Sequence, residues 1–258
     1  MKKDASTWIS SGLVLLVFLM LWQWGPVVLG MPEYVFPQFT RVVQEAGHMW
    51  SNSDLLGHFW ITTLEVILGF VLGSLLGIFF GVVLGLSPKT ESVLSPYILA
   101  LQIAPKVAFA PLFVMWLGYT IYPKVLVAIL IVFFPVMINV LSAVRTVDPD
   151  MVNLVRTLNA GRFQIFRLVE FRSAMPSLFS GLRIAATLAV IGVTVGELVG
   201  GNKGLGYLLV DAEGQGNTAG VFVAIAGLTL VGLLAYWAVV WLERRVLHYI
   251  PRANVTTV

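Results

Sequence analysis

Apolar residues fall in long blocks at 8–30, 58–86, 95–118, 122–144, 178–199 and 219–242, separated by shorter polar stretches. Each block is long enough for a helix to cross a bilayer, which takes about 20 residues. The pattern therefore predicts an all-α membrane protein with about six transmembrane helices. The first block follows Met1-Lys2-Lys3-Asp4 and lacks the short core and small-residue cleavage site of a removable signal, so it reads as a retained span. An even number of spans puts both termini on one side. Between the first two blocks, 36–50 can form a short amphipathic helix at the interface, as a plain connector or a functional surface. The stretch 200–216 reads as a glycine-rich outer loop without periodicity, and no internal repeat or low-complexity tract stands out.

Two blocks carry glycine at helical spacing. The second has Gly69, Gly73, Gly77, Gly81 and Gly85, and the fifth has Gly192, Gly196 and Gly200. Such ridges let another backbone approach closely. Packing within the chain, hinge motion and approach of a second chain through the fifth span all use the same feature. The third block is interrupted by Gln102, Pro105, Lys106 and Pro111. Each proline removes a backbone donor and disfavours straight helix before it. Broken helix at membrane depth persists only where protein or a water-filled cavity surrounds it, and such breaks recur at solute sites. Gln102, Pro105, Lys106 and Phe109 are therefore candidate path residues, with proline kinking alone as the bland alternative. Glu65 and Glu197 join them, because a charge at span depth must be paired or wetted. Lys106 is one possible partner for Glu65.

Between the fourth and fifth spans, 146–176 places Met151, Val155, Leu158, Phe163, Phe166 and Val169 at three- to five-residue intervals, as short amphipathic helices would. Asn159-Ala160-Gly161 divides them, since both Asn and Gly favour helix-ending turns. An exposed apolar face here needs a use, either lying on the bilayer or docking a partner.

Composition agrees with the membrane reading: of 258 residues, 58% are hydrophobic and 11% charged. That charge share is less than half of what soluble domains carry. The net charge of +3 is explained by loop asymmetry rather than by nucleic acid. Starting inside, the cytoplasmic segments collect Lys2, Lys3, Lys89, Arg145, Arg156, Arg162, Arg167, Arg172, Arg183, Arg244, Arg245 and Arg252, whereas the outer loops hold Arg41, Lys124 and Lys203. Both termini are thus expected in the cytoplasm. With no cysteine, the chain has no disulfide, thiolate metal site or thiol nucleophile. His48, His58 and His248 show no metal-ligand spacing and no Ser-His arrangement at span depth, so no catalytic or metal site is expected. No phosphate-binding loop is present either: Gly200-Gly201-Asn202-Lys203-Gly204 is too short and lies outside. The chain cannot hydrolyse ATP alone.

The run Leu154-Val155-Arg156-Thr157-Leu158-Asn159-Ala160-Gly161, followed by Gln164-Ile165-Phe166, Met175-Pro176-Ser177-Leu178 and Gly181-Leu182-Arg183, resembles the EAA loop of binding-protein-dependent ABC importer permeases. Ala104-Pro105-Lys106-Val107-Ala108-Phe109-Ala110-Pro111-Leu112, Trp116-Leu117-Gly118, Gly196-Glu197-Leu198 and Gly204-Leu205-Gly206 are similar to the nitrate, sulfonate and taurine-type branch. The matches run over about 57–242 in the family's order.

The resemblance implies a type I importer permease fold in a single transmembrane domain, 1–258. Its parts would be 1–56 (first span and outer segment), 57–242 (permease core, with coupling helices in 146–176) and 243–258 (cytoplasmic tail). It implies an inner-membrane subunit that forms the solute path without being an enzyme. The expected partners are a second permease chain as a homodimer, two ABC ATPases that bind ATP and Mg, and an extracytoplasmic solute-binding protein. The chain itself would carry no cofactor. ATPase contact would fall on Asn153, Leu154, Val155, Arg156, Leu158, Asn159, Ala160, Gly161, Phe163 and Phe166. Two departures stand out: Asn153-Leu154-Val155 replaces E-A-A, removing its acidic contact, and Asn159 replaces the motif's glycine. The substrate implied is a small organic solute: a thiamine-precursor pyrimidine, riboflavin, or a sulfonate- or nitrate-like anion. The Pro105-Lys106-x-Ala108 form and Thr63-Leu64-Glu65 lean toward the heterocycles. An ion-gradient-driven secondary transporter or channel remains the alternative; it would share the broken helix but give 146–176 no purpose.

Overall fold

The computed structural model describes residues 5–248, and every regular element among them is helical. In chain order these are α1 (Ala5–Val28), α2 (Phe39–Asn52), α3 (Leu55–Gly85), α4 (Pro88–Ile103), a 3-10 turn (Lys106–Phe109), α5 (Ala110–Leu117), α6 (Ile121–Arg145), α7 (Pro149–Thr157), α8 (Arg162–Ile165), a π-helical turn (Phe166–Glu170), α9 (Phe171–Gly200), α10 (Leu205–Gly214) and α11 (Thr218–Val246). Five segments are long and apolar enough to cross a membrane, and counting the bent pair α4/α5 as one broken span gives six. Lys2, Lys3, Arg252 and the 249–258 part of the expected tail lie outside the described residues.

The chain divides into two compact units, one of residues up to 61 with 203–229, the other of 62–202 with residues from 230 onward. In the first, Trp22 on α1 is ringed by Phe36, Phe39 and Phe222, and its indole N–H donates to Pro37 O at 3.1 Å. The expected amphipathic helix is α2, which buries Val42 and Met49 and exposes Val43 and Trp50. Glu45 on α2 accepts from the Asn217 amide at 2.8 Å. The stretch read as an outer loop contains a helix, α10. Glycines on both sides of it hide the period of its buried Leu205, Leu208 and Ala212. Gly204, at φ 111°, starts it in a conformation that disfavours side chains, and its N–H donates to Nδ1 of His58 at 2.9 Å.

In the second unit the glycine ridges pack against neighbours within the chain. The ridge of α3 lies along α6: a Cβ added to Gly81 would sit 2.7 Å from Met137 O. On α9, Gly192 faces Ala128 and Gly196 faces Lys124, both on α6, with an added Cβ 2.6 Å from each Cα. Gly200 faces Val114 of α5. These faces are filled by the chain's own helices, as the reading of packing within the chain expects.

The fifth span is also longer than its apolar block. Helix runs unbroken from Arg162 to Gly200 over 39 residues, through the π-helical turn and past Pro176, a length of about 57 Å. The second half of the cytoplasmic segment is therefore the lower end of the fifth span rather than a separate element. At the ends carrying the basic residues, Arg145 pairs with Glu91 at 2.9 Å and Arg183 with Glu243 at 3.3 Å.

Candidate functional site

Three local features carry the candidate chemistry, all within the second unit. The first is the break in the third span. Ala104, ahead of Pro105, is extended (ψ 134°), as the proline ring requires, and the two halves meet at 76°. Gln102, Pro105 and Phe109 are exposed there and Lys106 is half-buried. The Lys106 ammonium donates to the Gln102 carbonyl and to Ala104 O at 3.4 Å, and lies 5.0 Å from the Phe134 ring centroid. The carbonyls freed at the end of α4 thus receive a cation, and the cation receives a ring face. Phe109, Phe113 and Trp116 follow in a row, with successive centroids 6.1 Å apart.

The second feature is a buried polar cluster contributed by three helices. Thr62 and Glu65 on α3, Lys124 on α6 and Glu197 on α9 are 0%, 1%, 3% and 1% exposed. The Lys124 ammonium donates to Glu65 Oε1 at 2.9 Å, and the Thr62 hydroxyl donates to Glu197 Oε1 at 2.7 Å. The structure thus ties Glu65 to Lys124 and Glu197 to Thr62, and Lys106 to the break at Gln102 and Ala104. The pairing of Glu65 with Lys106 considered from the sequence does not form; its cation is Lys124. Lys124, read as an outer-loop residue, is the fourth residue of α6 and is enclosed. The α6 helix begins at Ile121, one residue before the apolar block 122–144, so Lys124 belongs to the first turn of the span and not to the loop before it. Gly196 makes the cluster possible, since only a residue without Cβ lets α9 approach the Lys124 backbone this closely.

Sequence reasoning missed Thr62 and Lys124. Two signals pointed to them: Thr62 stands three residues before Glu65 on the same helical face, and Lys124 opens a long apolar run where a lysine needs a partner.

The third feature is the cytoplasmic turn. Asp148 caps α7 by accepting from Asp150 N at 2.9 Å. Asn159 adopts φ 56°, the left-handed conformation that the family's glycine would supply, so the departure keeps the backbone. Gly161 N then donates to Gln164 Oε1 at 2.9 Å and starts α8. Around this turn Leu158 is 76% and Phe163 74% exposed, with Met151 and Leu154 more than half exposed as well. Asn153, Arg156, Asn159 and Gly161 are exposed too, whereas Val155, Ala160 and Phe166 are half-buried. Val169, counted in the apolar period, is buried against its own chain.

The sequence profile described as binding-protein-dependent transport system inner membrane component matches residues 69–248. The chain belongs to this family. The permease is 39% identical over 247 residues to the riboflavin transport system permease protein RibX of Chloroflexus aurantiacus, covering 94% of this chain and 91% of that one. It is 34% identical over 237 residues to the formylaminopyrimidine transport permease protein ThiX of Halalkalibacterium halodurans (92% and 94% covered). It is 34% identical over 234 residues to a probable ABC transporter permease protein of Haemophilus influenzae (90% and 94% covered). Its fold matches a chain of the inward-facing MetNI methionine ABC transporter with a TM-score of 0.63 at 20% identity, covering 80% of this permease and 99% of that chain. The type I importer permease fold and the multi-pass inner-membrane character follow. This membership displaces the alternative of a secondary transporter or channel.

Proposed function

We propose that the permease forms the membrane path of an ATP-driven importer as one of two identical subunits. Each copy would dock one ATPase on the turn joining α7 to α8, and an extracytoplasmic binding protein would deliver the solute. ATP and Mg belong to the ATPase. The reading is carried by the exposure of Leu158 and Phe163 on either side of the Asn159 turn, because apolar groups this prominent call for a protein partner. The excess of Lys89, Arg145, Arg156, Arg162, Arg167, Arg172, Arg244 and Arg245 in the loops read as cytoplasmic, against Arg41 and Lys203 in those read as outer, supports both termini in the cytoplasm.

The solute path runs past Gln102, Pro105, Lys106 and Phe109, where interrupted backbone presents an ammonium and an aromatic row. Such a surface suits a flat heterocycle such as a flavin or a pyrimidine, and the names of two relatives point the same way. The ligand carried by the binding protein that stimulates ATP hydrolysis identifies the substrate directly.

Replacing Leu158 with Asp tests the docking reading. Burying a Leu side chain gains about 1.5–3 kcal/mol, and an unpaired carboxylate in its place adds a desolvation penalty. The expected outcome is loss of ATPase copurification while the permease remains in the membrane. Undiminished copurification with normal uptake would reject the docking site.

A further inference from the structure

Towards the C-terminal end of α11, exposed side chains form one line. Leu230, Leu234, Trp237 and Trp241 are each about half exposed or more, whereas Val239 on the opposite side is buried. At about 100° of turn per residue these four fall within about 60° of arc, and Arg244 and Arg245 flank the line one turn further on. From Leu230 to Trp241 the line is about 17 Å long, close to the roughly 15 Å depth of one bilayer leaflet. The Arg245 guanidinium lies 5.0 Å from the Trp241 ring centroid, which holds its charge where the apolar line ends. The neighbouring acid, Glu243, is engaged by Arg183 of α9 at 3.3 Å. Neither Arg244 nor Arg245 has an acidic partner among the described residues.

A helix C-terminus alone favours cations, so the two arginines by themselves indicate nothing further. The leaflet-long apolar line leading to them does, because it ends in a tryptophan and two unneutralised charges, as a surface facing one lipid would. We infer that this face binds an anionic phospholipid, with an acyl chain along Leu230, Leu234, Trp237 and Trp241 and the headgroup phosphate between Arg244 and Arg245. Guanidinium groups suit a phosphate because their paired N–H donors match its oxygens. A zwitterionic lipid carries the same phosphate, but its own ammonium offsets the attraction, whereas each basic side chain at the surface favours an anionic lipid about five-fold. The site uses neither the solute path nor the docking turn and needs only that α11 spans the membrane.

Lipids with brominated chains test this, since bromine quenches tryptophan fluorescence on contact. The full-length permease is placed in nanodiscs of phosphatidylcholine and phosphatidylglycerol at one fixed ratio, with bromine on one lipid or the other at equal mole fraction. The quenching that disappears in Trp241→Phe reports this ring among the eight tryptophans. We expect phosphatidylglycerol to quench Trp241 at least about two-fold more strongly than phosphatidylcholine. In the double variant Arg244→Gln with Arg245→Gln the two lipids should quench equally. Equal quenching in the wild type overturns the inference even if the double variant fails to assemble. Absence of quenching by either lipid shows that protein covers this face, and overturns it as well. A preference that survives the double variant places the charge elsewhere, and one that soluble glycerol phosphate abolishes marks a site for free phosphate esters; both outcomes reject the lipid site.

Discussion

Removing the cluster's cation is the sharpest perturbation available, and Lys124→Met does so with little change of volume. Lys124 and Glu65 are enclosed and 2.9 Å apart, so their attraction at an effective dielectric of about 20 is roughly 6 kcal/mol before desolvation is counted. Breaking a buried pair from one side typically costs about 3–5 kcal/mol, since the stranded carboxylate keeps its desolvation penalty. At roughly 2–4 °C per kcal/mol for a chain of this size, the melting temperature should fall by roughly 6–20 °C. Thermal unfolding of the assembled complex, followed by size exclusion after heating, measures the loss. The double variant Lys124→Met with Glu65→Gln should recover at least half of it, because the amide needs no counter-charge. If the single variant melts within a degree or two of wild type, or if the double loses the sum of both singles, the pair does not carry this energy.

Two further outcomes follow from the same geometry. Gly196→Ala places a Cβ 2.6 Å from the Lys124 Cα, so α9 must shift; we expect about 1–3 kcal/mol of destabilisation and a lower melting temperature, with Gly12→Ala, which meets nothing within 4 Å, as the unaffected control. Lys106→Met should leave assembly intact, because among the described residues the ammonium bonds to carbonyls beside it and to a ring face, yet it should depress solute uptake several-fold; wild-type uptake would take Lys106 off the path.

Local chemistry made the broken span and the coupling turn legible in the sequence. Pro105 forbids straight helix wherever it stands, and Asn159 is among the few residues that tolerate φ 56°, so both features follow from two or three adjacent residues. Partner choice was less legible. Lys106 was the lysine considered for Glu65, and the selection of Lys124 depends on the α3–α6 approach that Gly69 and Gly73 permit, a fact of tertiary packing. The glycine ridges themselves said only that something comes close. They could not say that α6 fills both. The α10 helix was masked because glycine at Gly204, Gly206, Gly214 and Gly216 resembles loop punctuation, although Leu205 and Leu208 are already one helical turn apart. The extent of the fifth span was hidden by Pro176, which a helix tolerates here without ending.

That unbroken helix bears on how force at the cytoplasmic turn would reach the cluster. Phe163 and Glu197 lie on the same 39-residue helix, about 51 Å apart along its axis. On the other side of the turn, α7 follows α6 after only Thr146, Val147 and Asp148, and α6 carries Lys124. Both helices leaving the proposed docking site therefore end in the cluster, one bearing its cation and the other a carboxyl group. Where they pack, Gly192 and Gly196 bring α9 onto the α6 backbone at Ala128 and Lys124, and sliding one past the other would drive side chains into main chain. A push from the ATPase would then move α6 and α9 together rather than shear them. The backbone that can yield lies at the extended Ala104-Pro105 step and at Gly118, whose φ of 71° ends α5, and the residues carried between those joints include Lys106 and Phe109. In the proposed importer, a stiff α6–α9 pair thus acts on a jointed third span, and the joint is the same interrupted backbone that carries the proposed solute path.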